Sequence, residues 1–541
     1  MIFSQNSSSR GCRGGSRTAP TPNLVDGLLA GVVGLVSLAL YLRTLAPGLL
    51  PGDSGEFQTL AYLLGNTHPT GYAVYLLLAK PFTWLPVGDI AYRLNLFSAV
   101  TAALAVGGTY LAGRLLGGQP WAALVGALAL AVCPAFWSQA LIAEVYTPGA
   151  LFLVAILLML LLWDATGKPR YLFLAGLLGG LSLGVHLTVA LLAPAVAVFV
   201  LTTRPPKSIL VALLGALLGA ALALVAFLLL DLNHPTANYF DSVVGPSRSA
   251  WDLAAADLDG GFDRLFFGLS ARQFRPYMFA DPVQVMPRQA RDYFADLPAQ
   301  FTPLILFLTV LGALGLLVRL RRQAGLLLVA LASQWLYTFN YEIWDLYVFH
   351  IPGYVLLCWL AAAGAGVLAG GWHALARQWR GRRIVEALLA IAVLAVGVWP
   401  ILAQRWEAVQ AGHVPFADSD EYPVGRFSQA TLHPLVSATV AGLEPNAILF
   451  TDWDLLYPYY YAAHIEQGRT DLLFVETYPR DDVPVLADSV LEFVAAQAGQ
   501  CPIYVSERLP ELTAAGYRLR PARVGPTRLY SVQPGEQGAN G

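Results

Sequence analysis

Long apolar runs alternate with short polar connections along most of this chain, and the runs set its architecture. A helix needs about 20 mostly apolar residues to cross roughly 30 Å of hydrocarbon. Runs of that character, several of them short, occupy Asn23–Tyr41, Leu94–Leu115, Ala122–Phe136, Gly149–Trp163, Tyr171–Val185, Thr188–Leu201, Ile209–Leu230, Phe301–Val318, Leu326–Leu336, Tyr354–Leu368 and Val385–Leu402. The pattern predicts an all-α polytopic membrane bundle of about eleven transmembrane helices. Tyr171–Leu201 is long enough for one helix, but both of its flanks are basic. Two short spans meeting near His186 and Leu187 fit better.

Beyond Arg405 the pattern changes. Ala447–Phe450, Leu472–Val475 and Ile503–Val505 read as short buried strands, with helical stretches near Pro458–Gln467 and Val485–Gln497 between punctuating Pro, Asp and Gly. The expected organisation is a basic tail over 1–22, a transmembrane module over 23–404 with long outer loops at 43–93 and 231–300, and a C-terminal extracytoplasmic α/β domain over 405–541.

Composition supports this frame. Of 541 residues 56% are apolar and only 13% charged, about half the charged share of a soluble protein. Mean hydropathy is +0.57. A disordered chain and a conventional cytosolic enzyme are both excluded. A net charge of −2 offers nothing to a nucleic acid. Cys12, Cys133, Cys358 and Cys501 are too far apart for a disulfide framework or a zinc knuckle.

Charge next to the runs gives an orientation. Arg114, the pair Lys168 and Arg170, the pair Arg204 and Lys207, then Arg319, Arg321 and Arg322, and finally Arg377, Arg380, Arg382 and Arg383 fall in alternate connections, on the side of Arg10, Arg13 and Arg17. That side is read as cytoplasmic, in a prokaryotic plasma membrane, and the first run as an uncleaved anchor because no small-residue cleavage site follows it. Lys80, Arg93 and the arginines of 248–291 break the pattern, as a site for an anion would require.

Candidate chemistry concentrates on the outer face. The first outer loop carries Gly52-Asp53-Ser54-Gly55-Glu56 and His68-Pro69-Thr70-Gly71-Tyr72, where a carboxylate can meet a lipid headgroup. Asp53 or Glu56 could act as a base on an acceptor hydroxyl. The structural alternative is a reciprocal helix cap, Asp53 with Glu56, and an ordinary stop at His68-Pro69. Glu144 and Tyr146 follow in Ala143-Glu144-Val145-Tyr146-Thr147, either in a site or in an interfacial belt. His186 is read as packing or as substrate contact. Asp345 lies in Phe339–Tyr347, whose alternating aromatic and polar groups suit a sugar face or a belt. Six loop arginines, Arg264, Arg272 and Arg275 among them, suit a lipid phosphate because a planar guanidinium binds oxygens in pairs; exposed pairing with neighbouring acids is the alternative. Asp452 and Asp454 after a strand resemble a metal-holding pair for a nucleotide sugar, but activated nucleotides are not expected outside, and turn formation accounts for them as well.

These segments together resemble a family of polytopic membrane proteins, first grouped as a domain of unknown function, that stands among the GT-C glycosyltransferases and is related to a vertebrate protein O-mannosyltransferase. The resemblance is carried by Gly52–Glu56, His68–Tyr72 and Ala143–Thr147, with support from Gly184–Thr188, Asn340–Pro352, Ile448–Asp454 and Gly468–Asp471. Thr70 and Ala73 stand where the family commonly has prolines. The resemblance implies a GT-C-like bundle that moves a sugar, with mannose the first candidate, from a polyprenyl-phosphate donor to a hydroxyl of a protein or glycan, with inversion. It makes Asp53 the base or the carboxylate that orients the acceptor hydroxyl, has Glu56 and Glu144 support it or bind sugar hydroxyls, and makes His68 with one or more loop arginines the partners of the departing phosphate. Tyr72, Tyr146, His186 and Asp345 would contact substrate. No cofactor is required with a monophosphate donor; a pyrophosphate donor would bring a divalent cation. The competing class is a transporter or flippase of lipid-linked sugar. It would show polar residues through the spans and paired halves, whereas here the spans are nearly free of charge and no repeat is visible.

Overall fold

The computed structural model describes residues 22–203, 207–375, 381–410, 429–480 and 485–535. The N-terminal tail to residue 21, with Arg10, Arg13 and Arg17, and also Arg204, Arg377 and Arg380 of the charge series, lie outside the described residues.

Each of the eleven apolar runs falls in helical chain, but fewer helices are full crossings. Among the described residues six are long and apolar enough to span a membrane: Leu24–Thr44, Ile90–Gly117, Tyr146–Thr166, Ser208–Asn233, Ile351–Ala374 and Arg383–Glu407. A seventh results if Pro282–Gln300 and Pro303–Arg319, bent by 116° at a short break, count as one. Proline accounts for part of the shortfall, because it starts a helix at its first turn and cannot continue one. Pro134 divides the run at Ala122–Phe136, so that one helix covers Pro120–Val132 and a second Pro134–Gln139. The run from Tyr171 to Leu201 divides too. The Pro169–Leu181 helix gives way to short 3-10 turns around His186, whose own backbone is extended.

Polar contacts fix the ends of the bundle and small residues fix its middle. Asn23 and Asp26 form a capping box on the first span, and Asp26 also takes the Arg114 guanidinium at 2.5 Å from the end of Ile90–Gly117. The Pro169–Leu181 and Lys207–Asn233 helices meet through Gly176 and Gly180 on one and Gly215 and Gly219 on the other. A Cβ at Gly180 would sit 2.2 Å from the Ala216 carbonyl oxygen, and one at Gly219 2.2 Å from that of Leu177. Without a hydrophobic force between helices in lipid, such small-residue contacts supply the packing.

The C-terminal segment forms a five-stranded mixed sheet in the order β2-β1-β3-β5-β4. Strands β1 (Ile448–Thr451), β2 (Leu473–Glu476) and β3 (Ile503–Val505) run parallel, and β4 (Tyr517–Val524) with β5 (Thr527–Pro534) closes the edge as an antiparallel hairpin. Alternation along β1 places Ile448 and Phe450 in a core with the Asp488–Gln497 and Pro510–Ala514 helices, and Leu449 in the opposite core. That second core is shared with Phe57, Leu60 and Tyr75 of the first outer loop. The sheet unit is thus packed into the membrane module rather than tethered to it.

The glycine contact gives a signed expectation. Gly180→Ala puts a methyl group against backbone and should destabilise by about 1–3 kcal/mol. A Cβ at neighbouring Gly179 meets nothing within 4 Å, so Gly179→Ala should stabilise by some tenths of a kcal/mol through helix propensity. Thermal unfolding in one detergent checks both; equal shifts would mean the helices do not meet at Gly180.

Candidate functional site

The Gly52–Leu63 helix starts at Pro51, which offers no side-chain cap, and ends where Leu64 takes left-handed geometry at φ 60°. That stop turns the chain back, so His68 lies over the helix's first turn. Asp53 and Glu56, three apart, share one face. They do not form the reciprocal cap. Glu56 is fully buried and binds His68 twice: Oε1 accepts the backbone N–H at 2.8 Å, and Oε2 lies 2.5 Å from Nδ1. Burial pushes the Glu56 carboxyl up and the His68 ring pulls it back. His68 Nε2 lies 3.8 Å from Asp53 Oδ2. The other Asp53 oxygen, Oδ1, accepts the Trp453 indole N–H at 2.7 Å.

Asp53 and His68 line a cavity of about 590 Å³, which also takes in Tyr72, Glu144, Tyr146, His186 and Asp345. Seven of the eight residues that the sequence put forward for catalysis and substrate contact therefore line one cavity. Glu56 stands behind His68 instead. Tyr72 stacks on His186 with ring centroids 6.0 Å apart and meets Phe57 edge-on. His186 sits in the turn between two short helices, where its Nδ1 pairs with the Thr188 hydroxyl at 2.5 Å and caps the following turn through the Thr188 N–H. Burial lowers it to about 4, so it is neutral at pH 7. Both readings of His186, packing and contact, hold at once. Glu144 is 1% exposed, and its Oε2 accepts the Val145 N–H at 3.2 Å. Asp345 takes the Tyr146 hydroxyl at 3.4 Å, and burial, with the Asp53 charge next in weight, raises it to about 7.

The cavity has two kinds of wall. Tyr277, Met278, Tyr337, Tyr341, Ile343 and Trp344 make one side largely aromatic and apolar. Two outer loops are stitched together there: Phe279 N–H donates to Asn340 O at 2.7 Å and Glu342 N–H to Tyr277 O at 2.9 Å. The C-terminal unit makes the other side with Asp452, Asp454, Glu476, Glu507 and Arg480. Asp452 caps the Trp453–Tyr460 helix through the Leu455 N–H, which aims Trp453 at Asp53. Among the described residues no three His, Cys, Asp or Glu side chains gather as metal ligands.

The loop arginines stand elsewhere. Arg264 places Nε and a terminal nitrogen on the two Asp231 oxygens, each at 2.7 Å, and its other nitrogen on the Leu258 carbonyl. Arg275 donates from Nε to the Ser270 carbonyl at 3.0 Å. Arg264, Arg272 and Arg275 are all outside the cavity lining, where the guanidinium is that of Arg480. Arg480 also donates to the Ala250 carbonyl at 2.7 Å. Neither Arg480 nor Trp453 had a signal as a site residue. The familiar run Ile448–Asp454 was the nearest hint, and nothing in spacing brings position 453 to position 53.

The weakened acidity of Asp345 has a measurable sign. Its carboxyl keeps a proton in the fold up to about 7 but loses it near 3.9 in an unfolded chain. Between those values the fold binds more protons, so this group's contribution to stability falls as pH rises. Asp345→Asn should therefore raise the melting temperature at pH 8 and leave it nearly unchanged at pH 4. Equal shifts at both pH values would show that the carboxyl is solvated.

Comparison with known proteins agrees with this geometry. Residues 53–210 match the family described as the protein O-mannosyl-transferase TMEM260 N-terminal domain. The chain is 28% identical over 261 residues to the mouse protein O-mannosyl-transferase TMEM260, covering 47% of this chain and 36% of that protein. It is 27% identical over 127 residues to the Dictyostelium discoideum protein of the same name, covering 23% of this chain and 15% of that one. The chain therefore spans about a third or less of the length of these curated relatives. Its fold matches the crystal structure of ArnT from Cupriavidus metallidurans bound to undecaprenyl phosphate, with a TM-score of 0.52 at 15% identity over 93% of this chain and 97% of that one. Residues 53–210 are thus similar to the TMEM260 N-terminal domain, in a chain that shares its fold with ArnT.

Proposed function

We propose that this protein is an integral-membrane glycosyltransferase that moves a sugar from a polyprenyl-phosphate donor to a hydroxyl of a protein or glycan on the outer face. The observation that carries the reading is Asp53: one oxygen held by Trp453 and the other turned to His68 in a cavity with an aromatic wall and a polar wall. Mannose is the sugar we assign, after the names of the relatives matched by residues 53–210. The undecaprenyl phosphate bound to ArnT supports a lipid-linked donor.

In this reading the aromatic side faces the lipid and takes the sugar's apolar face, and the C-terminal side admits the acceptor. Asp53 removes the acceptor proton as the hydroxyl oxygen attacks the anomeric carbon from the side opposite the phosphate. The new bond has inverted configuration, and the lipid phosphate leaves with the electron pair of the broken carbon–oxygen bond. Arg480 meets that charge where it develops. Glu144, Tyr72, Tyr146, His186 and Asp345 hold the sugar hydroxyls. The reading uses a monophosphate donor without a metal; a pyrophosphate donor would place a divalent cation near Asp53 and Glu144. Eleven crossings, some short or bent, would set the N-terminus in the cytoplasm and the sheet outside. The prokaryotic plasma membrane is the compartment we assign on composition, although the curated relatives are eukaryotic.

The test is turnover of a panel of radiolabelled polyprenyl-phosphate sugars, mannose first, with a Ser/Thr peptide as acceptor. Asp53→Asn should lower transfer by about 10²–10⁴-fold, the range for a lost general base. Arg480→Gln should raise the donor KM by roughly tenfold, for the loss of a charge-assisted bond. Full activity of Asp53→Asn would move the base elsewhere. Donor flipping in vesicles without transfer would support the transporter instead.

A further inference from the structure

The reaction just described uses Asp53, yet the most strongly constrained group beside it is His68. Both hydrogen-bonding atoms of the Glu56 carboxylate are spent on this one residue, backbone and ring together, and no part of Glu56 reaches solvent. We assign Glu56 as ionised, so that it accepts the backbone N–H through one oxygen and the ring proton on Nδ1, 2.5 Å away, through the other. Nε2 is then left as a lone pair, and it is the ring atom nearest Asp53, 3.8 Å from the Oδ2 that Trp453 leaves open. The aromatic rings of Phe57, Tyr72 and Trp453 enclose the imidazole on its remaining sides at centroid distances of 5.0 to 5.9 Å.

We propose that Glu56 and His68 form a buried proton relay behind Asp53, with Glu56 the positioning carboxylate and His68 Nε2 the final acceptor of the proton taken from the acceptor hydroxyl. This rests on the glycosyl-transfer reading. The proton moves from the hydroxyl to Asp53 Oδ2 and on to Nε2, while the glycosidic bond forms and the bond to the phosphate oxygen breaks. The resulting imidazolium lies between two carboxylates. It returns the proton to water or to the released lipid phosphate, and the relay is reset. The arrangement follows the logic by which a buried carboxylate sets the tautomer of a catalytic imidazole and stabilises its charged form. The separation of 3.8 Å closes as the acceptor binds, as catalytic hydrogen bonds do.

Titratable and aromatic groups face His68 from every element packed against it. Asp53 and Glu56 come from the same helix. Tyr72 and Tyr239 pack against the ring, and burial holds both phenols well above their usual range. Phe274 and Trp453, from the long outer loop and the tail, carry no charge. Across the cavity His186 is held neutral, Asp345 titrates near 7, and Glu144 and Glu476 complete the charged set.

Glu56→Gln is the decisive variant, because it keeps the shape but presents an N–H₂ to Nδ1 and so moves the ring proton to Nε2. Full-length protein labelled with ¹⁵N-histidine is assigned at His68 by difference with His68→Asn. It should show a protonated Nδ1 in the wild type and a protonated Nε2 in Glu56→Gln. With undecaprenyl-phosphate mannose and the peptide acceptor, Glu56→Gln should lower kcat about 10²-fold with KM within about threefold, a loss in the range for a general-base relay. The fall of kcat on the acid side should also move to lower pH, since the carboxylate no longer favours the imidazolium. Nε2 protonation in the wild type would overturn the relay whether or not turnover is seen. Wild-type kcat and pH profile in Glu56→Gln, with Asp53→Asn inactive, would reduce the Glu56 clamp to loop support and leave Asp53 as the base. An active Asp53→Asn would overturn the transfer reading itself.

Discussion

The hydrogen bond from the Trp453 indole to Asp53 joins two parts of the chain that lie 400 residues apart in sequence, and the site exists where they meet. Asp53 stands on the first helix of the outer loop, and Trp453 opens the helix that follows β1. The bond is short because both ends are fixed independently. Asp452 caps the Trp453 helix, while Thr59 of the outer-loop helix donates its hydroxyl to the Tyr457 carbonyl at 3.1 Å one turn further on. Gly55 lets the two helices approach: a Cβ there would meet the Pro458 ring at 3.0 Å. The C-terminal unit therefore closes the cavity as part of its wall, and its removal would open the site as well as cost burial.

Much of the architecture was legible because periodicity is a local signal. Apolar runs marked the helices, and Ile503–Val505 emerged with the same bounds as the strand predicted from its residues. What escaped has specific causes. Fewer than eleven helices are long enough to cross on their own partly because proline interrupts an apolar run, and hydropathy averages over the break that Pro134 makes. Strand β4 escaped because Arg518, Arg520 and Arg523 decorate an exposed edge, and charge at a sheet edge hides the alternation that identifies a strand. Helix Gln429–Gly442 was not anticipated, and Pro434 inside it reads as a breaker.

The site was legible in its residues and illegible in its partnerships. Residue type and proximity to a span were enough to single out Asp53, His68, Glu144, Tyr146, His186 and Asp345. Which acid faces the cavity and which stands behind it depends on the turn after Leu64, and that turn has a left-handed leucine where glycine would have advertised it. The arginines show the converse. Six of them in one loop suggested an anion site, but Arg264 is consumed by Asp231, itself 5% exposed and also bound by Asn66 at 2.9 Å. That ion pair anchors the Gly261–Leu269 helix to the C-terminal end of the Lys207–Asn233 helix. A buried, fully forked pair is a structural fixture, since removing either partner strands a charge.

The same cavity holds two acids with different hydrogen-bond partners, and that difference is what makes it usable. Asp53 receives a strong donor from Trp453, whereas Asp345 has a phenol at 3.4 Å and one oxygen without a partner. Asp345 is accordingly raised to about 7, in part by the Asp53 charge. A carboxyl group that burial keeps protonated can donate where its neighbour accepts, so the two roles are divided between them. A protonated Asp345 can donate to a sugar oxygen without competing with Asp53 for a proton. The coupling runs both ways, because a change at Asp53 that removes its charge also eases the ionisation of Asp345. An effect of Asp53→Asn on sugar binding is therefore expected through Asp345, on the far side of the cavity, even where Asp53 itself touches no sugar hydroxyl.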